Sequence, residues 1–194
     1  MSRLTKTIAP DYFEQLYAQD GDPWKFATSA YEAEKYARTL TALLEPRYRN
    51  ALEIGCSIGV LTSLLAPRCE RLLAVDAAAA PLIEARRRCK RHANVSLARA
   101  FVPGEWPQGE FDLILLSEVV YYLDANDVAD LAKRAAGALA PRGTVALVHW
   151  TGETNYPLSG DEAAELFIAC LQDSVEIVDA QRGPGYRLDV LKRR

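Results

Sequence analysis

Two acids and two glycines carry the first chemical signal in this chain. The stretch Glu53-Ile54-Gly55-Cys56-Ser57-Ile58-Gly59 follows apolar Ala51-Leu52, and a second apolar run, Leu72-Leu73-Ala74-Val75, ends in Asp76. Glycine at such a turn lets a ligand approach the backbone and takes φ > 0 without strain. An acid ending the second run can accept hydrogen bonds from ribose hydroxyls. Strand, glycine loop, helix, strand and acid together make half of a nucleoside-binding α/β unit. A dinucleotide loop wants glycine two places after the first, so that backbone can reach a pyrophosphate, and Ser57 stands there. The charge of Glu53 would repel a phosphate. It suits a cationic or neutral ligand, such as a sulfonium with an amino-acid tail, and S-adenosylmethionine fits. Pairing of Glu53 with a loop amide or a nearby arginine is the purely structural alternative.

The elements that must position these residues follow from periodicity. Residues 50–55 and 72–75 read as strands, joined by a helix over Val60–Leu65 that ends at Pro67. Pro81 opens a helix reaching His92, since a missing N–H does no harm in a first turn. Its run Arg86-Arg87-Arg88-Cys89-Lys90-Arg91 could be a phosphate patch. No aromatic interleaves, so a solvated face suited to the negative end of the helix is the favoured reading. Val95–Ala98 is a short strand, and Phe111–Leu116 is a continuous apolar run of the kind buried in a parallel sheet. Asp127 or a neighbour starts a helix through Leu139. Pro141-Arg142-Gly143 turns into a strand over Thr144–Trp150, Asp161–Leu171 is a helix, and strands at 175–178 and 186–191 flank Gly183-Pro184-Gly185. Before the glycine loop, Pro10–Ala18 forms a short helix, and Ser29 caps a longer one whose apolar face is Ala33, Tyr36, Ala37, Leu40, Leu43 and Leu44. Trp24, Phe26, Tyr31 and Tyr36 either glue this layer to the sheet or also close a lid over it. The whole is an α/β fold: a doubly wound, Rossmann-like, seven-stranded sheet with an antiparallel hairpin at one edge and an N-terminal helical layer. Residues 1–44 are expected to cap a core at 45–194 within the same domain.

A chain of 194 residues with net charge −3 lacks the basic excess of a general nucleic-acid binder. Cys56, Cys69, Cys89 and Cys170 are scattered without a C-x-x-C pair, and His92 and His149 are the only histidines. A metal site and a disulfide framework are therefore not expected. Met1–Pro10 has no signal-type apolar core. No apolar run reaches the ~20 residues needed to cross a bilayer. A cytoplasmic protein is expected, monomeric or homodimeric, without membrane or nucleic-acid partners.

The Glu53–Gly59 loop, Asp76, the Phe111–Leu116 strand and Gly143–Trp150 resemble the class I S-adenosylmethionine-dependent methyltransferases over about residues 45–194. A closer resemblance covers most of the chain. Asp22-Pro23-Trp24-Lys25-Phe26, Tyr31-Glu32, Leu52–Ser57, Leu65–Cys69 and Leu116-Ser117-Glu118-Val119-Val120-Tyr121-Tyr122-Leu123 are similar to the NodS-like methyltransferases. That group N-methylates the deacetylated glucosamine end of a chitooligosaccharide.

The resemblance implies S-adenosylmethionine as cofactor, S-adenosylhomocysteine as product and a small-molecule or oligosaccharide acceptor. It implies that Glu53, Gly55, Cys56 and Gly59 hold the methionine part, and that Asp76, with Ala77 beside it, takes the ribose. Phe101 and Val102 would flank the adenine, Ser117 would meet the methionine amine or the acceptor, and Trp24 and Tyr31 would close the site. An amine acceptor must attack as the neutral form, so a base is useful. Glu118 is the first candidate and His149 the second, with Tyr121 and Tyr122 as positioning groups. Core packing and ordinary hydrogen bonding are the plain alternatives for the tyrosines and for His149. A different amine or hydroxyl acceptor, an NAD-linked oxidoreductase and a non-catalytic S-adenosylmethionine sensor are the rival readings.

Overall fold

Short apolar runs, too brief for helices and bounded by glycine, proline or charge, become the strands of one sheet. The computed structural model describes residues 3–194, so the first two positions of the Met1–Pro10 stretch and of the 1–44 cap lie outside the described residues. In chain order the elements are α1 (Pro10–Gln19), α2 (Ala30–Ala42), β1 (Ala51–Ile54), α3 (Val60–Leu65), β2 (Leu72–Asp76), α4 (Ala80–Arg88) and β3 (Val95–Arg99). Then come β4 (Phe111–Ser117), α5 (Ala125–Ala138), β5 (Leu139–Trp150), α6 (Gly160–Leu171), β6 (Val175–Gly183) and β7 (Tyr186–Arg193). The sheet runs β3-β2-β1-β4-β5-β7-β6. Strands β1 to β5 pair in parallel, while β7 is antiparallel to both β5 and β6.

Both faces of the sheet are covered, which explains the unbroken apolar character of β4. Ile114 and Leu116 pack with Val128, Leu131 and Phe167 of α5 and α6. Leu113 and Leu115, pointing the other way, join Tyr36 of α2, Leu43 just after it, and Leu61 and Leu65 of α3. Strand order reverses at β1 and β4, and an open α/β sheet leaves its ligand crevice outside the carboxyl ends of such a pair. Gly55 and Ser117 stand there. Among the described residues no helix is long and apolar enough to cross a membrane.

Several boundaries differ from those read in the sequence, each for a local reason. Helix α4 ends at Arg88 instead of His92, because the chain must turn to pair Val95 with Leu72. Strand β5 begins at Leu139: Pro141-Arg142-Gly143 forms an irregularity inside it, with Arg142 left-handed, and not a turn before it. The last two strands are longer than expected because they pair along almost their whole length. Asp124, a neighbour of Asp127, caps α5 by accepting from Asn126 N and Asp127 N.

The largest difference lies in α2. Ser29 caps it as read, accepting from Glu32 N, but the buried face is Glu32, Lys35, Tyr36 and Thr39, while Ala33 and Ala37 are exposed. A polarity rule puts Glu and Lys outside. Here they turn inward because each meets an opposite charge.

The N-terminal layer is tied down by polar contacts as well as by its aromatics. Glu14 of α1 accepts from Ala79 N at 2.6 Å and Ala80 N at 3.2 Å, supplying the N-terminal acid that α4 lacks. At the other end of the layer Arg68 donates to the carbonyls of Leu40, Leu43, Glu45 and Pro46 as the chain leaves α2. Those carbonyls have no helical partner, and a guanidinium fork satisfies them together. Arg68→Ala is therefore expected to lower the free energy of unfolding by about 2 kcal/mol, the range for losing charged hydrogen bonds of this kind. Urea denaturation measures it, and an unchanged midpoint would show that water replaces the guanidinium without loss.

Candidate functional site

At the carboxyl ends of β1 and β4 the crevice is roofed by α1 and α2, enclosing a cavity of about 420 Å³. That volume suits a ligand of nucleoside size. The floor is the glycine loop. Gly55 has φ +82°, and a Cβ there would lie 2.2 Å from Val119 Cγ2 and 3.1 Å from Ser117 O, so only glycine lets β1 and the end of β4 approach. Ser57 is also left-handed, at φ +50°. Its N–H donates to Asp76 Oδ2 at 2.8 Å, while Ala78 N donates to Oδ1 at 2.9 Å. A carboxylate has about four acceptor sites, so each oxygen of Asp76 keeps capacity for another donor from the cavity. Burial pushes the Asp76 carboxyl up to about 6 despite these amides. Across the loop, the Tyr17 hydroxyl of α1 lies 2.5 Å from Ser57 Oγ.

Glu53 is buried on the cavity wall, and its Oε2 has no hydrogen-bond partner among the described residues. Burial pushes its carboxyl up to about 7; the Thr62 hydroxyl offsets part of this and the charge of Asp76 adds to it. A buried carboxyl with only the Thr62 hydroxyl beside it at a cavity wall is an arrangement that a cationic ligand would relieve.

Glu118 directly follows β4 in the left-handed conformation, φ +58°, its N–H donating to Val148 O at 2.8 Å. Its carboxylate is fully engaged. Oε1 accepts from Lys35 Nζ at 2.5 Å, and Oε2 accepts from the Tyr121 hydroxyl at 2.7 Å and from Trp150 N at 2.8 Å. Burial works to raise the Glu118 carboxyl, but the Lys35 ammonium and these hydrogen bonds outweigh it and hold the group below the usual carboxylate range. A carboxylate held this way is a weak proton acceptor. Tyr121 stacks on Tyr156 at 5.3 Å and meets Tyr122 edge-on at 4.6 Å. On the α2 side, Tyr31 lies edge-on to Trp150 with its hydroxyl buried and without a partner among the described residues.

Thirteen residues singled out from the sequence line this one cavity: Trp24, Tyr31, Glu53, Gly55, Cys56, Asp76, Ala77, Phe101, Val102, Ser117, Glu118, Tyr121 and Tyr122. Gly59 and His149 do not. Gly59, at φ +77°, begins α3, and a Cβ there would stand 3.0 Å from Ala85, so this glycine serves the packing of α3 against α4. His149 is wholly buried behind the wall, where its Nε2 accepts from Val120 N at 3.2 Å and so holds the turn that carries Tyr121 and Tyr122. Burial pushes its imidazole down to about 4. It lines no part of the cavity, and that corrects its reading as a second base.

Sequence reasoning missed Tyr17, Ser57, Glu32, Lys35, Trp150 and Tyr156, all of which also line the cavity. Ser57 carried a signal by its place in the glycine loop, and Glu32 and Lys35 carried one as an i,i+3 charged pair beside Tyr36. The arginine run is partly a solvated face, as read, with Arg87 on Glu84. Arg88, however, turns in and donates to Ile58 O at 3.0 Å, bracing the glycine loop.

The sheet order, the glycine loop, Glu53 near the end of β1 and Asp76 ending β2 define a class I S-adenosylmethionine-dependent methyltransferase. The family model described as Nodulation protein S (NodS) matches residues 10–185, and the chain belongs to that family. It is 31% identical to Nodulation protein S of Bradyrhizobium diazoefficiens over 160 residues, covering 81% of this chain and 77% of that protein. It is 35% identical over 124 residues to Nodulation protein S of Sinorhizobium fredii, a match that spans 63% of this chain and 57% of that protein. Among solved structures, the N-methyltransferase NodS from Bradyrhizobium japonicum WM9 in complex with S-adenosyl-L-homocysteine superimposes with a TM-score of 0.82 at 27% identity, covering 94% of this chain and 97% of that one.

The raised carboxyl of Glu53 has a thermodynamic consequence. Its folded value lies above the unfolded one, so its contribution is intact below about pH 4 and is lost as pH rises through about 7. Glu53→Gln is expected to stabilise the free protein at pH 8 by up to about 3 kcal/mol, with the gain vanishing by pH 4. The same change should weaken S-adenosylhomocysteine binding about tenfold. Denaturation at both pH values and calorimetric titration measure the two effects. Parallel stability curves with unchanged binding would make Glu53 an ordinary core residue.

Proposed function

We propose that this chain methylates the amine at the deacetylated glucosamine end of a chitooligosaccharide, with S-adenosylmethionine as donor. Membership of the Nodulation protein S family over residues 10–185 carries the reading. The cavity's composition supports it. Tyr31, Tyr121, Trp150 and Tyr156 offer aromatic faces of the kind that pack against sugar rings, while Glu118 and Glu32 bring negative charge to the same wall.

S-adenosylmethionine, when bound, supplies an electrophilic methyl group on a positively charged sulfur. The residues that would hold it fit its parts. Asp76 has free acceptor capacity for the ribose hydroxyls, with Ala77 alongside, and Phe101 and Val102 offer apolar surface to the adenine. Glu53 offers an unpartnered carboxyl oxygen toward the methionine end, where Gly55 and Cys56 leave the backbone open to the ligand and Ser117 lies nearby. Trp24 and Tyr31 close the roof. What the protein then contributes is alignment, since an in-line displacement gains most from holding the two partners close and oriented. Excluding water helps further, and the aromatic roof formed by Phe13, Tyr17 and Trp24 does this.

Release of S-adenosylhomocysteine with a terminally deacetylated chitooligosaccharide, beside its fully acetylated twin, tests the acceptor. Turnover is expected with the deacetylated sugar alone. Turnover with neither would move the search to other amines and to hydroxyls, and turnover with both would indicate O-methylation.

A further inference from the structure

Lys35 is the cation that the sequence reading placed nowhere. Its side chain is only 2% exposed, yet it lines the cavity. The ammonium lies 2.9 Å from Glu32 Oε2 and 3.0 Å from Glu32 Oε1 on its own helix, and 2.5 Å from Glu118 Oε1 at the end of β4. The ring of Tyr31 is 5.3 Å away. Burying an ammonium is unfavourable unless it is paired, and here two carboxylates share one cation. The cluster therefore has spare negative charge at the wall of a cavity where methylation of an amine must generate a positive one.

We propose that Lys35 is a positioning residue for methyl transfer: its ammonium, seated on Glu32, locks Glu118 as an ionised wall beside the acceptor nitrogen and not as a base. The inference rests on the amine-acceptor reading above. As its lone pair takes the methyl carbon, the acceptor nitrogen gains the positive charge that the departing sulfur loses, and it sheds a proton to water afterwards. A fixed carboxylate stabilises that charge best when it needs no reorganisation. Glu118 meets this condition: its three donors come from α2, from the turn after β4 and from the end of β5, and its backbone sits in a conformation that non-glycine residues rarely adopt.

The groups facing Glu118 decide how it titrates. Lys35, Glu32, Tyr31 and Tyr36 approach from α2, Tyr121 and Tyr122 from the turn, and His149 from β5. Tyr156 completes the ring. Burial and the carboxylates keep the four tyrosines that meet Glu118 most closely in their neutral form, and burial keeps His149 uncharged at neutral pH. Lys35 is then the cation that holds Glu118 ionised. Burial works against the ammonium, but the Glu118 and Glu32 charges outweigh it and keep it protonated above the ordinary lysine range.

The test is the side-chain carboxyl carbon-13 resonance of Glu118, assigned by its loss in Glu118→Gln and followed against pH with and without S-adenosylhomocysteine. In the wild type the resonance should stay at its ionised position down to about pH 4, the ordinary glutamate midpoint. In Lys35→Met the midpoint should rise by about two pH units, and Lys35→Arg should return it. Methyl transfer should follow: kcat about 100-fold lower in Lys35→Met, acceptor KM within about threefold, and most of the loss recovered in Lys35→Arg. An unmoved Glu118 midpoint in Lys35→Met, or a Glu118→Gln enzyme with wild-type kcat, would overturn the proposal. Should Lys35→Met fail to fold, Lys35→Met/Glu118→Gln removes both ions of the contact between α2 and the end of β4 and leaves only Glu32, a carboxyl that burial already pushes upward. The proposal requires that double variant to be as slow as Glu118→Gln alone, and wild-type speed would overturn it. If the wild type methylates no sugar amine, the acceptor reading falls while the titration still decides whether Lys35 governs Glu118.

Discussion

A lysine ammonium withdrawn from water must find carboxylates, and that demand joins the two halves of this molecule. Lys35 belongs to α2 in the N-terminal layer; Glu118 belongs to the end of the central strand of the sheet. Removing one partner of a buried pair is worth about 3–5 kcal/mol because the other charge is stranded. The contact therefore dictates which face of α2 turns inward, how the aromatic roof lies over the crevice, and which way the Glu118 side chain points. The remaining tethers of the layer, Glu14 on the first amides of α4 and Tyr17 on Ser57, close the same crevice from the other side.

Around that contact the site divides by electrostatics. Toward the glycine loop, Glu53 and Asp76 are carboxyls raised by burial, so each gains from a ligand that brings hydrogen-bond donors or positive charge. Toward the tyrosine-lined end, Glu118 is already satisfied and held ionised by its neighbours. One set of acids is prepared to receive a ligand, and the other is prepared to remain unchanged while charge moves nearby. His149 shows how burial alone can remove a residue from chemistry: an imidazole pushed down to about 4 and bonded to a backbone amide is scaffolding for the two tyrosines beyond it.

Backbone strain gathers where function requires it. Gly55, Ser57 and Glu118 all have positive φ, and all three lie at the mouth between β1 and β4. Gly55 is there because β4 comes too close for a side chain. Ser57 and Glu118 are there despite side chains, each held by hydrogen bonds from a neighbouring element. Positions that break a local rule while their surroundings over-determine them are the expected mark of a working site.

By itself the sequence determined whatever depends on short-range pattern. Alternating apolar runs and helices specified the parallel sheet and the closing hairpin, and Gly55 with the acids Glu53 and Asp76 marked the ligand crevice, because loop and strand-end chemistry is local. Its errors lie where partners are distant along the chain. Glu32 and Lys35 were given no place in the site, since nothing within α2 reveals that Glu118 waits 83 residues on. His149 looked like a base because exposure, which decides its protonation, belongs to the packed interior and not to its neighbours in sequence. Gly59 looked like a ligand contact until α4 packed against it. Charge pairing, burial and close approach are properties of the assembled chain, and they alone decided which of the legible residues face the ligand and which hold those residues in place.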